Sequence, residues 1–442
     1  MTVPLEQPPD VVSRRRFLTT AGLTGAALAA PLTGGEAQTL PRLARPDGPA
    51  ERVATDEAYW ERVAAQYRIS DRVTNLEAGY WGMMPLPVLD EYLRHVERVN
   101  RESSVYARVS YGADLEAVRA RVATFLGVSA AELAFTRSAT ESLQCLIAGY
   151  NRLKPGDAVL YADLDYPAMQ NAMKWLAQRR GVRVVRIVIP EPASRENVIA
   201  TYTTAFEANP DVRLVLLTHL NNKTGLIVPV AAIAALARTR GADTIVDAAH
   251  SVGQTDISLA DLGSDFAGFN LHKWIGAPVG VGVMYIRASR IADIDPMMGE
   301  EEQSSDRISS RVHTGTVNFA AFLTVPAAID FHVAVGPKYK AARIRYLRDR
   351  WVTPARALGG IDVLTPDEPG MAAAITSFRL RDGTSRQAND RVVEELRTRH
   401  GVFTVRRSGL ERGDCVRVTP ALYNRPADVD RLVSGLKQLA GA

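Results

Sequence analysis

A lysine and an aspartate stand at positions where their ionisable groups could act in one site. Lys273 follows His272 in the stretch FNLHKWIGAP, residues 269–278, with a glycine and a proline close behind it. Asp247 ends the apolar run TIVD 26 residues earlier, so its carboxylate is expected at the end of a strand. A lone buried carboxylate is costly unless a cation or a hydrogen-bond donor meets it. Either residue alone is typical of a surface charge, but together they suggest an amine and an acid that act as a pair.

Two further segments supply groups that suit a flat, phosphorylated cofactor. Tyr166 follows the apolar run AVLYADLD, and Ser138, Ala139 and Thr140 form a turn that opens a helical pattern. Pyridoxal 5'-phosphate (PLP) requires an amine that forms an imine, an acid for its pyridine nitrogen, a ring to stack on and a helix N-terminus for its phosphate. These residues therefore predict a PLP site.

The candidate groups fall at the ends of strands in a chain that alternates between strand and helix patterns. The runs DAVLYADLDY, VRVVRIVI and VRLVLLTHL predict strands, and segments such as VAAIAALARTRG predict the helices between them. Such a series predicts a mostly parallel sheet with helices on both faces, and ligands of such sheets bind where strands end in loops. A polar helical segment near residues 330–358 leads to a C-terminal region with its own strands and a closing helix. We therefore expect an α/β protein with a large domain and a smaller α+β domain.

Composition limits the classes of function. The chain has 442 residues, 46% of them hydrophobic, which is enough for one large core or two smaller ones. The 53 Lys and Arg and the 49 Asp and Glu leave a charge of +4, with no basic run beyond the N-terminus, so nucleic acid is not an expected partner. Cys145 and Cys415 could pair in an oxidising compartment, but their apolar surroundings favour two core residues. Neither the cysteines nor the scattered histidines have metal-ligand spacing, so we predict no metal site.

The N-terminus has the pattern of an export signal. Residues 13–18, SRRRFL, precede a mild apolar stretch of small residues that ends near Pro31. This pattern is typical of a twin-arginine signal, with cleavage after Ala37 or near Ala29. A membrane anchor and a basic tail are the alternatives, although the apolar run is too short to span a bilayer comfortably. We predict a twin-arginine signal peptide at residues 1–37, passage through the twin-arginine translocase, a periplasmic location and no stable membrane anchor.

A long central stretch resembles a known family. Residues 246–287, VDAAHSVGQTDISLADLGSDFAGFNLHKWIGAPVGVGVMYIR, are similar to the cofactor segment of class V aminotransferase-fold enzymes, which include cysteine desulfurases, kynureninases and isopenicillin N epimerase-like proteins. The resemblance covers roughly residues 70–435 and implies the PLP-dependent transferase fold of type I. We predict four segments: the signal peptide at 1–37, a linker and N-terminal segment at 38–79, a large PLP-binding domain at 80–330 and a small C-terminal domain at 331–442.

The resemblance implies roles for individual residues. Lys273 resembles the lysine that holds the cofactor as a Schiff base and then moves protons at the α-carbon of the substrate. Asp247 is similar to the acid that pairs with the pyridine nitrogen. His250 stands near the ring hydroxyl, where cysteine desulfurases usually have glutamine, and Asn270 stands where relatives often have serine. The predicted cofactor-binding residues are Ser138, Ala139, Thr140, Tyr166, Asp247, His250, Asn270, His272, Lys273 and Thr316, with Tyr166 as the stacking ring and Ala139, Thr140 and His272 at the phosphate.

The resemblance also implies residues that bind the substrate and a residue that acts in the active site of a neighbouring subunit. Asn222 in THLNNKTG and Arg417 in CVRVTPALYN match groups that hold the substrate carboxylate, which a guanidinium fork suits geometrically. Thr316 in RVHTGTVN resembles a threonine that reaches the phosphate from the neighbouring subunit, which implies a homodimer with a shared active site. The alternative for each is structural: Tyr166 as a strand-end ring, Thr316 as a turn residue, Arg417 as a strand-face cation and His250 as a core histidine.

The predicted function is PLP chemistry at the α-carbon of an amino acid or an amino-acid-containing metabolite. A dehydrogenase would need a glycine fingerprint between an early strand and helix, whereas GAPVGVGVMY comes after the lysine. Cysteine desulfurases need a nucleophilic cysteine on a loop shortly before the arginine, and RHGVFTVRRSGLERGD has none. The strings LDYPAM and NLHKW favour the isopenicillin N epimerase-like branch. A transaminase, a C–S lyase, an exported enzyme that tailors the glutamate side chain of the siderophore pyoverdine and a non-catalytic binding protein are the alternatives.

Overall fold

The computed structural model describes residues 43–44, 46–301 and 306–441, so the predicted signal peptide lies outside the described residues. The described helices are α1 Ala50–Ala54, α2 Glu57–Ala64, α3 Leu86–Val109, α4 Tyr111–Leu126, α5 Ala139–Gly149, α6 Pro167–Arg180, α7 Arg195–Ala208, α8 Val230–Thr239, α9 Phe319–Leu323, α10 Val325–Val335, α11 Pro337–Ala357, α12 Arg386–His400 and α13 Pro426–Leu439. The described strands are β1 Thr74–Asn75, β2 Leu133–Thr136, β3 Ala158–Ala162, β4 Arg183–Ile187, β5 Val212–Thr218, β6 Asp243–Asp247, β7 Phe266–Asn270, β8 Gly282–Ile286, β9 Ile361–Val363, β10 Thr376–Leu380, β11 Val402–Phe403, β12 Val405–Arg407 and β13 Cys415–Val418.

A seven-stranded sheet forms the centre of the fold, in the order β2-β8-β7-β6-β5-β3-β4. The five strands from β7 to β4 in this order are parallel, and β8 runs antiparallel to both of its neighbours. The mostly parallel α/β sheet predicted from the sequence is therefore confirmed. Strand β8 follows β7 without an intervening helix, and a connection that short joins strands of opposite direction.

Continuous apolar strands explain why helices cover both faces of this sheet. Along β5, Val215 and Leu217 belong to one core, while Leu214 and Leu216 belong to the core on the opposite face. Successive side chains of a strand point to opposite faces, so an unbroken apolar run can be buried only between two layers. Helix α5 packs against β7 and β8, and α8 packs against β5 and β6.

A second, four-stranded antiparallel sheet has the order β12-β13-β10-β9. It shares a third core with α11, α12 and α13, in which the rings of Trp351 and Phe378 meet edge to face at 5.9 Å. The predicted domain boundary at residues 330 and 331 falls inside α10. The described residues belong to one compact unit.

The N-terminal segment packs against the C-terminal region. Within the predicted linker and N-terminal segment at 38–79, residues 50–54 form α1, and Val53 is buried against the cluster that includes α2 and α11. Trp60 of α2 is only 1% exposed, and Arg343 of α11 forms an ion pair with Glu57 at 2.6 Å. Strand β1 pairs in parallel with β11. Burial of apolar side chains and the ion pair of Glu57 with Arg343 therefore hold this N-terminal segment against the C-terminal region.

No single helix among the described residues has both the length and the apolar composition needed to cross a membrane; one pair, Phe319–Val335 with Pro337–Ala357, meets the criterion only together and is bent by 72°.

Candidate active site

The carboxyl ends of β3, β5, β6 and β7 lie side by side, because these strands are adjacent and parallel. The chain segments that follow these ends bring polar side chains from four parts of the sequence to one cavity. Ten of the residues predicted from the sequence line it: Ser138, Ala139, Thr140, Tyr166, Asn222, Asp247, His250, Asn270, His272 and Lys273. Thr316 and Arg417 are not among the lining residues of this cavity in the described part of the chain.

The N-terminus of α5 forms one wall of the cavity. Ser138 caps the helix, since its hydroxyl accepts a hydrogen bond from the backbone N–H of Glu141 at 3.3 Å. The N–H of Ala139 donates to Oδ1 of Asn270 at 2.8 Å, so the asparagine that replaces the family's serine holds this helix end against β7. Thr140 lies in the first turn, where amides have no intrahelical acceptor. This end of α5 can therefore bind a phosphate through Thr140 and the helix dipole, while the amide of Ala139 is already engaged.

Lys273 lies on a tight bend that backbone contacts hold on both sides. The N–H of Leu271 donates to the carbonyl of Val281 at 3.1 Å, which closes the bend. On the other side, the N–H of Gly82 donates to the carbonyl of His272 at 2.9 Å. A Cβ atom at position 82 would lie 1.7 Å from the carbonyl oxygen of Lys273, so only glycine permits this approach.

A hydrogen-bonded chain connects Lys273 to its neighbours. The Nζ atom of Lys273 lies 3.0 Å from Nε2 of His250, and the indole N–H of Trp274 donates to Nδ1 of the same ring at 3.4 Å. An indole nitrogen can only donate, so Nδ1 of a neutral His250 is the acceptor and its proton is on Nε2. That proton points at the amine, which accepts it only when the amine is uncharged.

The electrostatics favour the same protonation states. Burial lowers the pKa of His250 well below its ordinary value, and the charge of Lys273 acts in the same direction. Burial also lowers the pKa of Lys273 from 10.5 to about 8; the charge of Asp247 opposes this shift, and the charges of Arg417 and Arg407 add to it. The site therefore holds a neutral imidazole beside an amine that loses its proton near pH 8, well below the ordinary range for lysine.

Asp247 ends β6 and is 5% exposed. One carboxylate oxygen, Oδ1, accepts the N–H of Ala249 at 2.9 Å. Burial raises the pKa of Asp247, while the bond from Ala249 and the charge of Lys273 oppose that shift. A cationic ring nitrogen bound next to this carboxylate would offset the free-energy cost of burying its negative charge.

Tyr166 is presented by a turn that a buried aspartate fixes. Asp165 accepts the N–H of Ala162 at 2.7 Å and the N–H of Thr218 at 2.9 Å, which ties the end of β3 to the end of β5. Tyr166 then precedes Pro167 at the start of α6 and is 38% exposed at the cavity. Its ring is partly exposed towards the cavity, where a flat ligand would stack on it.

His272 is oriented by the strand that follows it. Its Nδ1 atom lies 2.8 Å from the carbonyl oxygen of Val281 and 3.3 Å from the backbone nitrogen of the same residue; the shorter contact favours a proton on Nδ1, which leaves Nε2 for a ligand. Burial, with a smaller contribution from the charge of Lys273, lowers the pKa of His272 to about 4. The ring is thus neutral until an anion such as a phosphate binds beside it.

Arg417, which the sequence predicted to hold the substrate carboxylate, contacts protein groups in this structure. Its side chain is fully buried, and its guanidinium donates to both carboxylate oxygens of Glu77 and to the backbone carbonyl of Asn222, the last at 2.8 Å. Burial lowers the pKa of Arg417 to about 10, although the charge of Glu77 opposes this. The side-chain Oδ1 of Asn222 is buried without a hydrogen-bond partner among the described residues, and Asn222 lines the cavity. Thr316 is exposed in a loop.

The cavity also contains residues that sequence reasoning missed. The segment EAGYWG, residues 77–82, has two glycines and two aromatic residues close to an acid. This unusual combination is the signal that could have indicated the segment. Tyr80 and Trp81 of this segment are exposed at the mouth of the cavity with their ring centroids 5.1 Å apart. Arg137 and Arg407 also line the cavity.

These residues fit PLP. Thr140, His272 and the start of α5 suit its phosphate, Asp247 suits its pyridine nitrogen and Lys273 suits its aldehyde carbon. The Oδ1 atom of Asn222 has no hydrogen-bond partner among the described residues and Asn222 lines this cavity, so a donor on a bound ligand would satisfy it.

Comparison with known proteins decides the family. The model of the family "Aminotransferase class-V" matches residues 83–432. The chain belongs to the class V aminotransferase family. Isopenicillin N epimerase of Amycolatopsis lactamdurans is 30% identical over 406 residues, which are 86% of this chain and 98% of that protein. The family establishes a PLP-dependent enzyme, and so the non-catalytic alternative is not supported.

Solved structures show the same fold. The cysteine desulfurase CsdA of Escherichia coli, in its S-sulfonic acid form, is 21% identical, with a TM-score of 0.72 over 86% of this chain and 98% of that one. A variant of C-DES with glycine covalently linked to its PLP cofactor is 20% identical, with a TM-score of 0.73 over 84% and 98% of the two chains. The predicted PLP-dependent fold of type I is thereby confirmed.

Proposed function

We propose that this enzyme moves a proton at the α-carbon of an amino acid or an amino-acid-containing metabolite, with epimerisation as its reaction. The observation that carries the proposal is the amine of Lys273 held 3.0 Å from the neutral ring of His250 in a cavity that fits PLP. Similarity to an isopenicillin N epimerase along almost its whole length supports the choice of epimerisation.

The residues of the chain divide the work as follows. PLP, when bound, withdraws electrons from the α-carbon and so acidifies its proton. Lys273, with its pKa lowered from 10.5 to about 8, is then a base that can take this proton at a lower pH than an ordinary lysine could. Nε2 of His250 lies 3.0 Å from the same amine and holds the lysine side chain in place when no substrate is bound. Asp247 would hold a protonated pyridine nitrogen, because among the described residues its buried carboxylate accepts one backbone hydrogen bond, from Ala249.

The structure argues against a persulfide mechanism. Cys415 is fully buried on β13, and burial raises the pKa of its thiol to about 11. A nucleophilic cysteine needs an accessible thiolate, which this site does not provide. A C–S lyase that uses no cysteine of its own is the second candidate, because its first step is the same proton removal. Its products, a keto acid, ammonia and a thiol or sulfide, distinguish it.

The test is proton exchange in deuterium oxide, followed by NMR and chiral analysis. Isopenicillin N, glutamate and glutamyl peptides form the first panel of substrates. We expect the wild type to exchange the α-proton of one of them and to produce the second epimer. Lys273→Ala should lower the exchange rate by about 10²–10⁴-fold, because it removes the base. Lys174→Ala, which changes an exposed lysine of α6, is the matched control and should leave the rate unchanged.

Two results would contradict the proposal. Exchange by Lys273→Ala at the wild-type rate would exclude Lys273 as the base. Release of keto acid and sulfide by the wild type without epimer formation would favour the C–S lyase.

We also propose that the enzyme is exported through the twin-arginine pathway to the periplasm, on the basis of SRRRFL at residues 13–18. A periplasmic enzyme has no maintained pool of amino donors, which favours epimerisation or the tailoring of a siderophore glutamate over ordinary transamination. Changing Arg14 and Arg15 together to lysine should leave a PLP-loaded precursor in the cytoplasm. Cell fractionation checks this, and unchanged export of the double variant would refute the signal.

A further inference from the structure

A second cavity borders the bend that carries Lys273. Its lining includes Lys273 and Trp274 from the bend, His332 of α10 and Lys340 of α11. Among the described residues, Lys273 is the only one that lines both this cavity and the cavity of the PLP site. Side chains next to a cavity lack packing partners on that side, so close packing alone does not hold the bend there.

Lys340 reaches the bend from α11. Its Nζ atom donates to the backbone carbonyl of Trp274 and lies 3.4 Å from Nδ1 of His332. Burial lowers the pKa of His332 well below its ordinary value, and the charge of Lys340 acts in the same direction, so the ring is neutral and its Nδ1 can accept. The amine of Lys340 therefore connects α10 to the residue that follows Lys273.

The position of Lys340 is costly for the fold. The residue is 7% exposed, and in the described part of the chain no carboxylate forms an ion pair with it. Burial alone lowers the pKa of its amine to about 7. A lysine buried without an acid loses hydration that an apolar side chain of similar length would not lose. The stability of the fold therefore does not explain why a lysine occupies this position.

The carbonyl that Lys340 holds belongs to the residue that orients His250. The indole N–H of Trp274 donates to Nδ1 of His250 at 3.4 Å, and Nε2 of the same ring lies 3.0 Å from the amine of Lys273. A contact of 3.4 Å is near the limit for a hydrogen bond, so a small displacement of Trp274 would break it. A contact that fixes the backbone of Trp274 therefore also fixes the ring beside Lys273.

We propose that Lys340 is a positioning residue, which fixes Trp274 and through its indole keeps His250 aligned with the amine of Lys273. Lys340 does not line the cavity of the PLP site, so it acts without touching cofactor or substrate. The inference concerns the amine that binds PLP and goes beyond the proposed function, because it is independent of the reaction that follows at the α-carbon.

The test measures covalent capture of PLP by the protein freed of its cofactor, well above pH 8, where the amine of Lys273 is neutral. Lys340→Met replaces the amine with an apolar side chain of similar length. We expect capture to slow about two- to thirtyfold, the range for changes that act through a chain of contacts. Tm should not fall, because a buried charge without an acid is removed. Lys338→Met, which changes an exposed lysine of α11, is the matched control and should alter neither quantity.

A double-mutant cycle tests the route through Trp274. Trp274→Phe removes the indole donor and keeps the backbone carbonyl. If Lys340 acts through the indole, Lys340→Met should slow capture no further in the Trp274→Phe background. NMR of protein with isotope-labelled tryptophan gives a spectroscopic signature. The indole signal of Trp274, assigned by its loss in Trp274→Phe, should move upfield in Lys340→Met as the bond to His250 weakens.

Any other result overturns the assignment. Capture by Lys340→Met at the wild-type rate, or an unchanged indole signal, would show that the bend is held without this lysine. A lower Tm, or failure of Lys340→Met to fold, would show a general structural role. Equal slowing in the wild-type and Trp274→Phe backgrounds would exclude the route through the indole. No substrate is present in these measurements, so their failure leaves the proposed function standing, and proton exchange tests that function separately.

Discussion

At the scale of single residues, Trp274 has the decisive position in the network around Lys273. Its indole N–H can only donate, so it determines which nitrogen of His250 carries the proton. Histidine at this position therefore presents an N–H to the amine, whereas the glutamine of cysteine desulfurases could present either an oxygen or an NH₂ group. Trp274, which follows Lys273 in the sequence, thus selects the tautomer of the histidine that lies next to the lysine amine.

We predict that the protein lacking PLP captures it covalently with a pH midpoint near 8. The neutral amine is the reactive form, and burial lowers the pKa of Lys273 from 10.5 to about 8, so the rate should rise through pH 8 and level off above it. The charge of Asp247 opposes this shift, so Asp247→Asn should move the midpoint further down. Arg407→Gln should move it up. Stopped-flow absorbance measures the rate, and a wild-type midpoint near 10.5 would contradict the buried, neutral amine.

The sequence predicted the site residues that lie within one recognisable motif. It did not predict the ion pair of Arg417 with Glu77, which holds the neighbouring segment in place. Lys273, Asp247 and His250 could be found because acid, histidine and lysine have a recognisable spacing. The ion pair of Arg417 with Glu77 joins two segments that are far apart in the sequence. The local sequence around one of these residues does not indicate the other. Arg407 also lines the cavity, and it was missed because the short pattern of β12 does not indicate which of its side chains face the site.

At the scale of elements, the alternation of patterns predicted the sheet, while side chains decided where the strands end. The run DAVLYADLDY predicted a strand through Tyr166, but β3 ends at Ala162. The reason is that Asp163 binds the N–H of Ile189 at 2.9 Å, and Asp165 binds back to the N–H of Ala162, which turns the chain. The pattern of apolar residues predicts that a strand exists. Hydrogen bonds between side chains and the backbone end the strand, and these bonds follow no sequence period.

The helix α1 shows a second limit of composition. Residues 38–56 have the prolines and polar residues typical of a linker, yet five of them form a helix packed on α11. Burial of Val53 and Ala54 stabilises this helix, which is too short to form alone. Tertiary contact with an element almost 300 residues away cannot be found in the local sequence, so the composition of this segment gave no indication of the helix.

At the scale of the whole molecule, we predict a homodimer in which Thr316 completes the site of its partner. Thr316 is exposed in its own chain and lies outside the cavity that contains Lys273. Thr316→Ala should weaken PLP binding, because a hydroxyl contact to the phosphate is lost. Sedimentation of the PLP-loaded wild type at twice the mass of one chain would support the dimer, and sedimentation as a monomer would refute it.

Mixed dimers test the sharing directly. A dimer of one Lys273→Ala chain and one Thr316→Ala chain contains one site with both wild-type residues if the threonine crosses between subunits. Co-expression of the two variants with different affinity tags should then restore proton exchange relative to either variant alone. No recovery would mean that Thr316 acts within its own chain or not at all.

The two cysteines give the folded molecule a property that concerns its surroundings. Cys145 and Cys415 are free and buried, and burial raises the pKa of the first thiol to about 12 and of the second to about 11. Disulfide exchange proceeds through the thiolate, which neither residue forms at physiological pH. Once folded, the chain therefore keeps one covalent structure in reducing and in oxidising media, and it needs neither an oxidant nor a disulfide isomerase to reach it.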